Sequence, residues 1–184
     1  DIDPETWCLS VDRLQEKLEQ HKAAGLPLPK VVIPVHLSGQ SCDMQVIAEL
    51  GKQYGFHIIE DASHAIGSFY RGEPVGNCRF SDIVVFSFHP VKILTTGEGG
   101  MALTNIPELY ERMKRLRSHG ITRNTDQMIC RSEGPWYYEQ LELGFNYRMT
   151  DLQAALGISQ LKRLKEFVSR RNELAQKYDE VLND

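Results

Sequence analysis

The 184-residue sequence lacks the long hydrophobic run of a membrane span: nowhere does it approach the about eighteen consecutive apolar residues that such a helix needs. Its first residues are acidic, the opposite of a signal peptide. A large charge excess is missing too. The formal net charge of −4 gives no electrostatic reason to expect nucleic acid or an anionic membrane as partner. Four cysteines, Cys8, Cys42, Cys78 and Cys130, form no Cys-x-x-Cys pair, and six histidines are scattered without His-x-x-x-His spacing. The usual zinc motifs are thereby excluded, no metal is expected, and reduced thiols in a cytoplasmic protein are the default. No internal repeat or low-complexity segment occurs.

What is present reads as one α/β domain. Apolar residues at 41% and charged residues at 25% are ordinary globular values. Ser10 can cap a helix over Val11–Ala23, stopped by Gly25. Lys30–His36 is an apolar, β-branched run of buried-strand type, followed by a helix over Asp43–Tyr54 and a short strand, His57–Glu60. Strand, helix, strand in that order is a βαβ unit with parallel strands. Phe69–Phe80, with Gly72, Pro74 and Gly76, suggests a small hairpin. Ile83–Phe86 and Met101–Thr104 read as two further buried strands. Between Pro107 and His119 lies an amphipathic helix whose Lys114, Arg115 and Arg117 form its solvated side. An irregular stretch follows to Gly144, and then a long helix from Thr150 towards Leu182 with Leu161, Leu164, Phe167 and Val168 as its buried stripe.

The chemistry concentrates in Ser87-Phe88-His89-Pro90-Val91-Lys92-Ile93-Leu94-Thr95-Thr96-Gly97-Glu98-Gly99-Gly100, between two strands. A lysine there is a nucleophile only when part of its population is neutral, which apolar walls favour, and a neutral amine attacks carbonyls. The bland alternative for Lys92 is a solvated loop lysine beside turn-forming glycines. In open parallel sheets ligands bind beyond the carboxyl ends of the strands, where Asp61 and His36 fall. Asp61 alone could equally be the cap of the following turn, and His64 a satisfied buried histidine.

Two stretches resemble one family. Ser87 to Gly100, in the wording Ser-Phe-His-Pro-x-Lys-x-x-Thr-Thr-Gly-Glu-Gly-Gly, is similar to the cofactor-lysine loop of the DegT/DnrJ/EryC1/StrS sugar aminotransferases, pyridoxal phosphate (PLP) enzymes of fold type I. Gly144 to Gly157 is similar to their signature Gly-x-Asn-Tyr-Arg-Met-x-x-x-Gln-Ala-Ala. The resemblance implies that Lys92 bonds PLP covalently, that Ser87 contacts its phosphate, that Asp61 faces its ring nitrogen, and that His64 lies against the ring or its 3-hydroxyl. Asn146 would reach the phosphate of a neighbouring subunit in a homodimer with shared sites. It further implies that the chain is a fragment: part of the mostly parallel, helix-flanked large domain, without the phosphate-loop region that precedes it and the small domain that follows. Members with His in place of the lysine are dehydratases, so Lys92 favours transamination, with glutamate as donor and a nucleotide-linked 4-keto-6-deoxy sugar as acceptor. The wording Ser-Phe-His-Pro-x-Lys and Glu-Asp-Ala-Ser-His-Ala resembles that of members acting on UDP-linked acetamidosugars in pseudaminic acid formation. Other readings stay open: a non-catalytic regulatory homologue, a PLP enzyme of different sugar specificity, or an unrelated phosphate-binding domain. Gly97-Glu98-Gly99-Gly100 fits neither GxxxxGK[ST] nor GxGxxG.

Overall fold

A computed structural model describes residues 1–182. Helix α1 spans Val11–Ala23 as the sequence suggests: Ser10 Oγ accepts the N–H of Arg13 at 3.3 Å, and Gly25, at φ 65°, turns the chain out of the helix. The strand expected over Lys30–His36 is reduced to Val31–Val32 (β1) and a single bridge from Val35 to Asp61. Pro34 explains the break, because it has no N–H to give the ladder. Its carbonyl still accepts from Asp61 N–H at 2.9 Å, and His36 N–H donates to Asp61 C=O at 3.0 Å. Helix α2 (Met44–Tyr54) ends at Gly55 in the left-handed region and returns the chain to β2 (His57–Asp61). A two-residue turn at Arg71 and Gly72, both at positive φ, closes the hairpin of β3 (Phe69–Tyr70) and β4 (Glu73–Pro74).

β5 (Ile83–Ser87) lies beside β2, and β6 (Gly100–Leu103) returns antiparallel to it. The sheet runs in the order β1-β2-β5-β6, parallel except for its last strand. One face carries Ile58 and Val84 and is buried beneath the helices; Leu18, Met44, Ile47, Leu50 and Phe56 complete that core. The other face is not covered in the way the apolar wording predicts. Val31, Ile33 and Val35 are 43%, 57% and 42% exposed, and Met101 on β6 is 48% exposed. The alternation of a strand sends every second residue away from α2, and both strands stand at sheet edges.

The expected long last helix is two, α4 (Asp151–Leu161) and α5 (Leu164–Leu182). At the break Arg163 N–H bonds Gln160 C=O, one residue short of the α-helical interval, and the Arg163 side chain closes on Glu166 at 2.9 and 3.0 Å. Leu161 is exposed, outside the buried stripe expected for it.

Residues 104–150 form a separate compact unit. It holds α3 (Pro107–Leu116) and a two-stranded ribbon of β7 (Ile121–Thr122) and β8 (Glu139–Gln140). Arg115 is not on a solvated face as expected: it meets Glu142 at 2.7 Å, both side chains about a quarter exposed (24% and 28%). Among the described residues no helix is long and apolar enough to cross a membrane. None of the four cysteines is in a disulfide. Cys8 and Cys42, far apart in sequence, meet in the core, where burial and then the Cys8 thiol push the Cys42 thiol up to about 12.

Candidate active site

Because β2 and β5 are parallel neighbours, their carboxyl ends emerge along the same edge of the sheet. Asp61 stands opposite Val85, so Ser87, two residues on, shares its face, with Cα atoms about 8 Å apart by strand spacing and rise. Asp61 Oδ1 accepts the N–H of Ser63 at 3.0 Å, which is the turn-capping role; Oδ2 has no hydrogen-bond partner among the described residues. Ala62 and Ala65 are fully buried, and Ala62 N–H bonds Val85 C=O. The turn is thus pinned to the sheet with His64 on its half-buried side. His64 Nδ1 accepts the N–H of Ser38 at 3.3 Å, which places the ring proton on Nε2. Only one of its nitrogens is satisfied, so it is not the closed buried histidine of the bland reading.

That description belongs instead to His36, which is 0% exposed. Its Nδ1 accepts Cys42 N–H at 3.3 Å and its Nε2–H donates to Glu60 at 2.8 Å, while Ser81 Oγ donates to the other Glu60 oxygen. This chain braces the ends of β1 and β2 from the covered face of the sheet.

Lys92 sits in a clamped loop. Lys92 N–H bonds His89 C=O at 3.0 Å, Phe88 N–H bonds Gly99 C=O at 2.9 Å, and Thr96 N–H returns to Phe88 C=O at 3.0 Å. Phe88, Leu94 and Thr96 are buried beneath it. From α4, Gln160 accepts Thr95 N–H at 2.9 Å and Gln153 donates to Glu98 C=O at 3.0 Å. The Lys92 side chain is half-buried, and its amine has no ion pair among the described residues. The loop does not join two buried strands, since β6 is open on its outer side. Lys92 and His64 line one cavity of about 760 Å³, together with Ser38, Gly67, Val168 and Arg171. Asp61 and Ser87 are not in its lining. Asn146 belongs to the 104–150 unit, where it bridges Ser118 and is exposed.

Four contributors escape a reading of the sequence. Ser38 holds φ 54°, a conformation that serine gives no local signal for. Gln160 acts over 65 residues of separation. Gly67 and Arg171 matter only through the packing of α5: at φ 86°, the place of a Cβ on Gly67 lies 3.0 Å from Val168 Cγ2. Gln153 stands inside the second signature and could have been found there.

An α/β domain presenting an amine on a braced loop at the carboxyl edge of parallel strands is the class that this geometry defines. The chain belongs to the DegT/DnrJ/EryC1/StrS aminotransferase family, which it matches over residues 1–184. It is 43% identical over 145 residues to the UDP-4-amino-4,6-dideoxy-N-acetyl-beta-L-altrosamine transaminase of Campylobacter jejuni, covering 79% of this chain and 36% of that one. It is 38% identical over 183 residues to the GDP-perosamine synthase of Escherichia coli O157:H7, covering 100% of this chain and 45% of the relative. A sugar aminotransferase from Streptococcus pneumoniae, Spr1654 in its PLP form, superposes with a TM-score of 0.76 at 30% identity, covering 98% of this chain and 46% of that one. The chain spans less than half the length of these relatives. The aminotransferases of this family depend on PLP, and the fold here is part of theirs.

Gly67→Ala should destabilise the protein by more than Gly25→Ala. Both glycines have positive φ, at a cost of about 1–2 kcal/mol for any other residue, but nothing lies within 4 Å of a Cβ on Gly25. Denaturant midpoints of the two variants measure the difference; equal losses would mean that α5 does not pack against Gly67.

Proposed function

We propose that this chain is the central part of the PLP-binding large domain of a nucleotide-sugar aminotransferase. The reaction moves an amino group from glutamate to a nucleotide-linked 4-keto-6-deoxy sugar, of which a UDP-linked acetamidosugar is the first candidate, in the cytoplasm. The observation that carries this is the unpaired amine of Lys92 on a loop clamped at the sheet edge where Asp61 and Ser87 emerge. Those residues fit PLP by their chemistry: an amine for the aldehyde, a carboxylate with a free oxygen for the ring nitrogen, and a hydroxyl for the phosphate. PLP, when bound, supplies the electron sink that makes the donor's α-proton acidic.

The protein's own groups do the rest. Lys92 Nζ holds the cofactor and, when released, is the base that takes the proton from the donor's α-carbon. Asp61 keeps a proton on the ring nitrogen, and each unit by which it raises that pKa is worth about 1.4 kcal/mol of preference for the protonated form. His64, held by Ser38 N–H in its Nε2–H tautomer, can donate towards the ring or its 3-hydroxyl. Ser87 Oγ already accepts His89 N–H at 3.4 Å and retains its own proton for a phosphate oxygen. Asn146 would donate to the phosphate in the neighbouring subunit of a homodimer.

In the full-length protein, glutamate alone should give 2-oxoglutarate in an amount equal to the bound PLP, and continued turnover should need the keto-sugar; no 2-oxoglutarate from PLP-loaded protein would overturn the reading. Asp61→Asn should retain PLP yet slow this half-reaction by about a hundredfold or more, the equivalent of about 3 kcal/mol. A near wild-type rate would leave Asp61 with turn capping alone.

Mixing Lys92→Ala with Asn146→Ala subunits tests the shared site. Neither parent should have full activity, and exchange should restore one complete site per hybrid dimer. A mixture no more active than its parts, with exchange confirmed by a tag, would return Asn146 to its own subunit.

A further inference from the structure

We propose that the cavity between the Ser38–Ser41 loop, His64 and α5 is an oxyanion subsite anchored by Arg171, taking a carboxylate or phosphate group of a substrate. The identity of that substrate rests on the reading above; the site itself rests on the following geometry. The cavity holds about 760 Å³, within the roughly 300–1,000 Å³ of small-molecule sites. Its lining includes the cationic side chains Lys92 and Arg171 and the imidazole of His64, and no aspartate or glutamate. Lys92 is committed to the cofactor in the proposed enzyme, which leaves Arg171 as the fixed positive charge.

Arg171 differs from the other arginines on or beside α1 and α5. Arg13, Arg163 and Arg170 each close on a glutamate three residues ahead, at 2.7, 2.9 and 2.9 Å. Arg171 has Leu174 and Ala175 at those helical positions and makes no ion pair or hydrogen bond among the described residues. Val168, Arg171, Asn172 and Ala175 recur at i, i+3, i+4 and i+7, so one stripe of α5 faces the cavity. That stripe is held in place where Val168 meets Gly67, three residues after His64.

The facing wall is also fixed. Ser68 Oγ donates to Gly39 C=O at 2.8 Å, and Ser38 N–H occupies His64 Nδ1. His64 Nε2–H, like Lys92, is committed to the cofactor, so the Asn172 amide beside Arg171 is the second donor. A guanidinium without a partner, next to such a donor, binds an oxyanion by charge-assisted hydrogen bonds. Because Lys92 lines the same cavity, the anion must belong to a molecule whose reacting atom comes to Lys92. Two sources share this chemistry: a carboxylate of the amino donor and the diphosphate of the nucleotide.

The test uses the full-length, PLP-loaded protein and two unreactive probes, glutarate and UDP, with binding read by calorimetry. Arg171→Gln should weaken one of them about tenfold, a loss of about 1.4 kcal/mol. Arg171→Lys should recover part of it, and Asn172→Asp, which puts a negative charge on the same wall, should weaken the same probe. Arg170→Gln should change neither, and PLP content should stay at the wild-type level in all four. A loss confined to glutarate assigns the subsite to the donor, and one confined to UDP assigns it to the nucleotide; a loss on both supports one shared subsite. If neither probe binds the wild type, or Arg171→Gln weakens neither, or Arg170→Gln weakens them equally, the subsite is overturned. PLP loading and glutamate turnover would be untouched by that outcome, so the proposed function would stand or fall separately.

Discussion

When β2 pairs with β5 so that Asp61 faces Val85, one backbone register decides the positions of two side chains with complementary chemistry. A slip of one residue would turn Asp61 towards α2 and put Glu60 on the open face. The slip is resisted on the covered side, where Ile58 and Val84 are 4% and 0% exposed and Glu60 is tied to His36 and Ser81. Burial on one face thus holds the chemistry on the other. Breaking the His36–Glu60 contact would leave a buried polar group unsatisfied, at a cost of about 1–3 kcal/mol or more, so the register is held by polar as well as apolar groups.

The same logic extends to the loops. A lysine on a mobile loop would sample many positions; here the segment after β5 is anchored by three buried side chains and by two glutamines reaching from α4. Ser38 is held in the left-handed region, a strain typical of functional loops, and in return gives its N–H to His64. Preorganisation of this kind removes the entropy that a flexible site would lose on binding.

Much of this was legible in the sequence. The Ser10 cap and Gly25 stop gave α1 its bounds, and the βαβ order followed from the succession of strand, helix and strand patterns. A hairpin within Phe69–Phe80 followed from its turn residues, although the turn itself falls at Arg71 and Gly72. Lys92, Asp61, Ser87 and His64 all lie at or just past the carboxyl ends of β2 and β5. What failed did so for reasons of packing. Apolar wording marked Val31, Ile33 and Val35 as buried, but a strand's alternation cannot say whether its second face is covered. The stripe on the last helix carried no sign of the break after Leu161, where Arg163 N–H bonds Gln160 C=O instead of continuing the α-helical ladder. Arg115 read as solvated because its partner, Glu142, lies in a distant segment. Arg171 read as one more charge on a solvated face, and only the absence of an acid at i+3 or i+4 distinguishes it from its neighbours. Likeness at the level of the family reaches the aminotransferase class; the contacts that select a substrate are not contained in a motif.

The central claim is that a single amine, Lys92 Nζ, carries the cofactor. Borohydride reduction of the full-length protein with PLP, followed by peptide mass mapping, tests it most directly. The account predicts a pyridoxyl group on the peptide containing Lys92, and its loss in Lys92→Ala. A pyridoxyl group on another lysine of the wild type, or an equal yield in the variant, would contradict it.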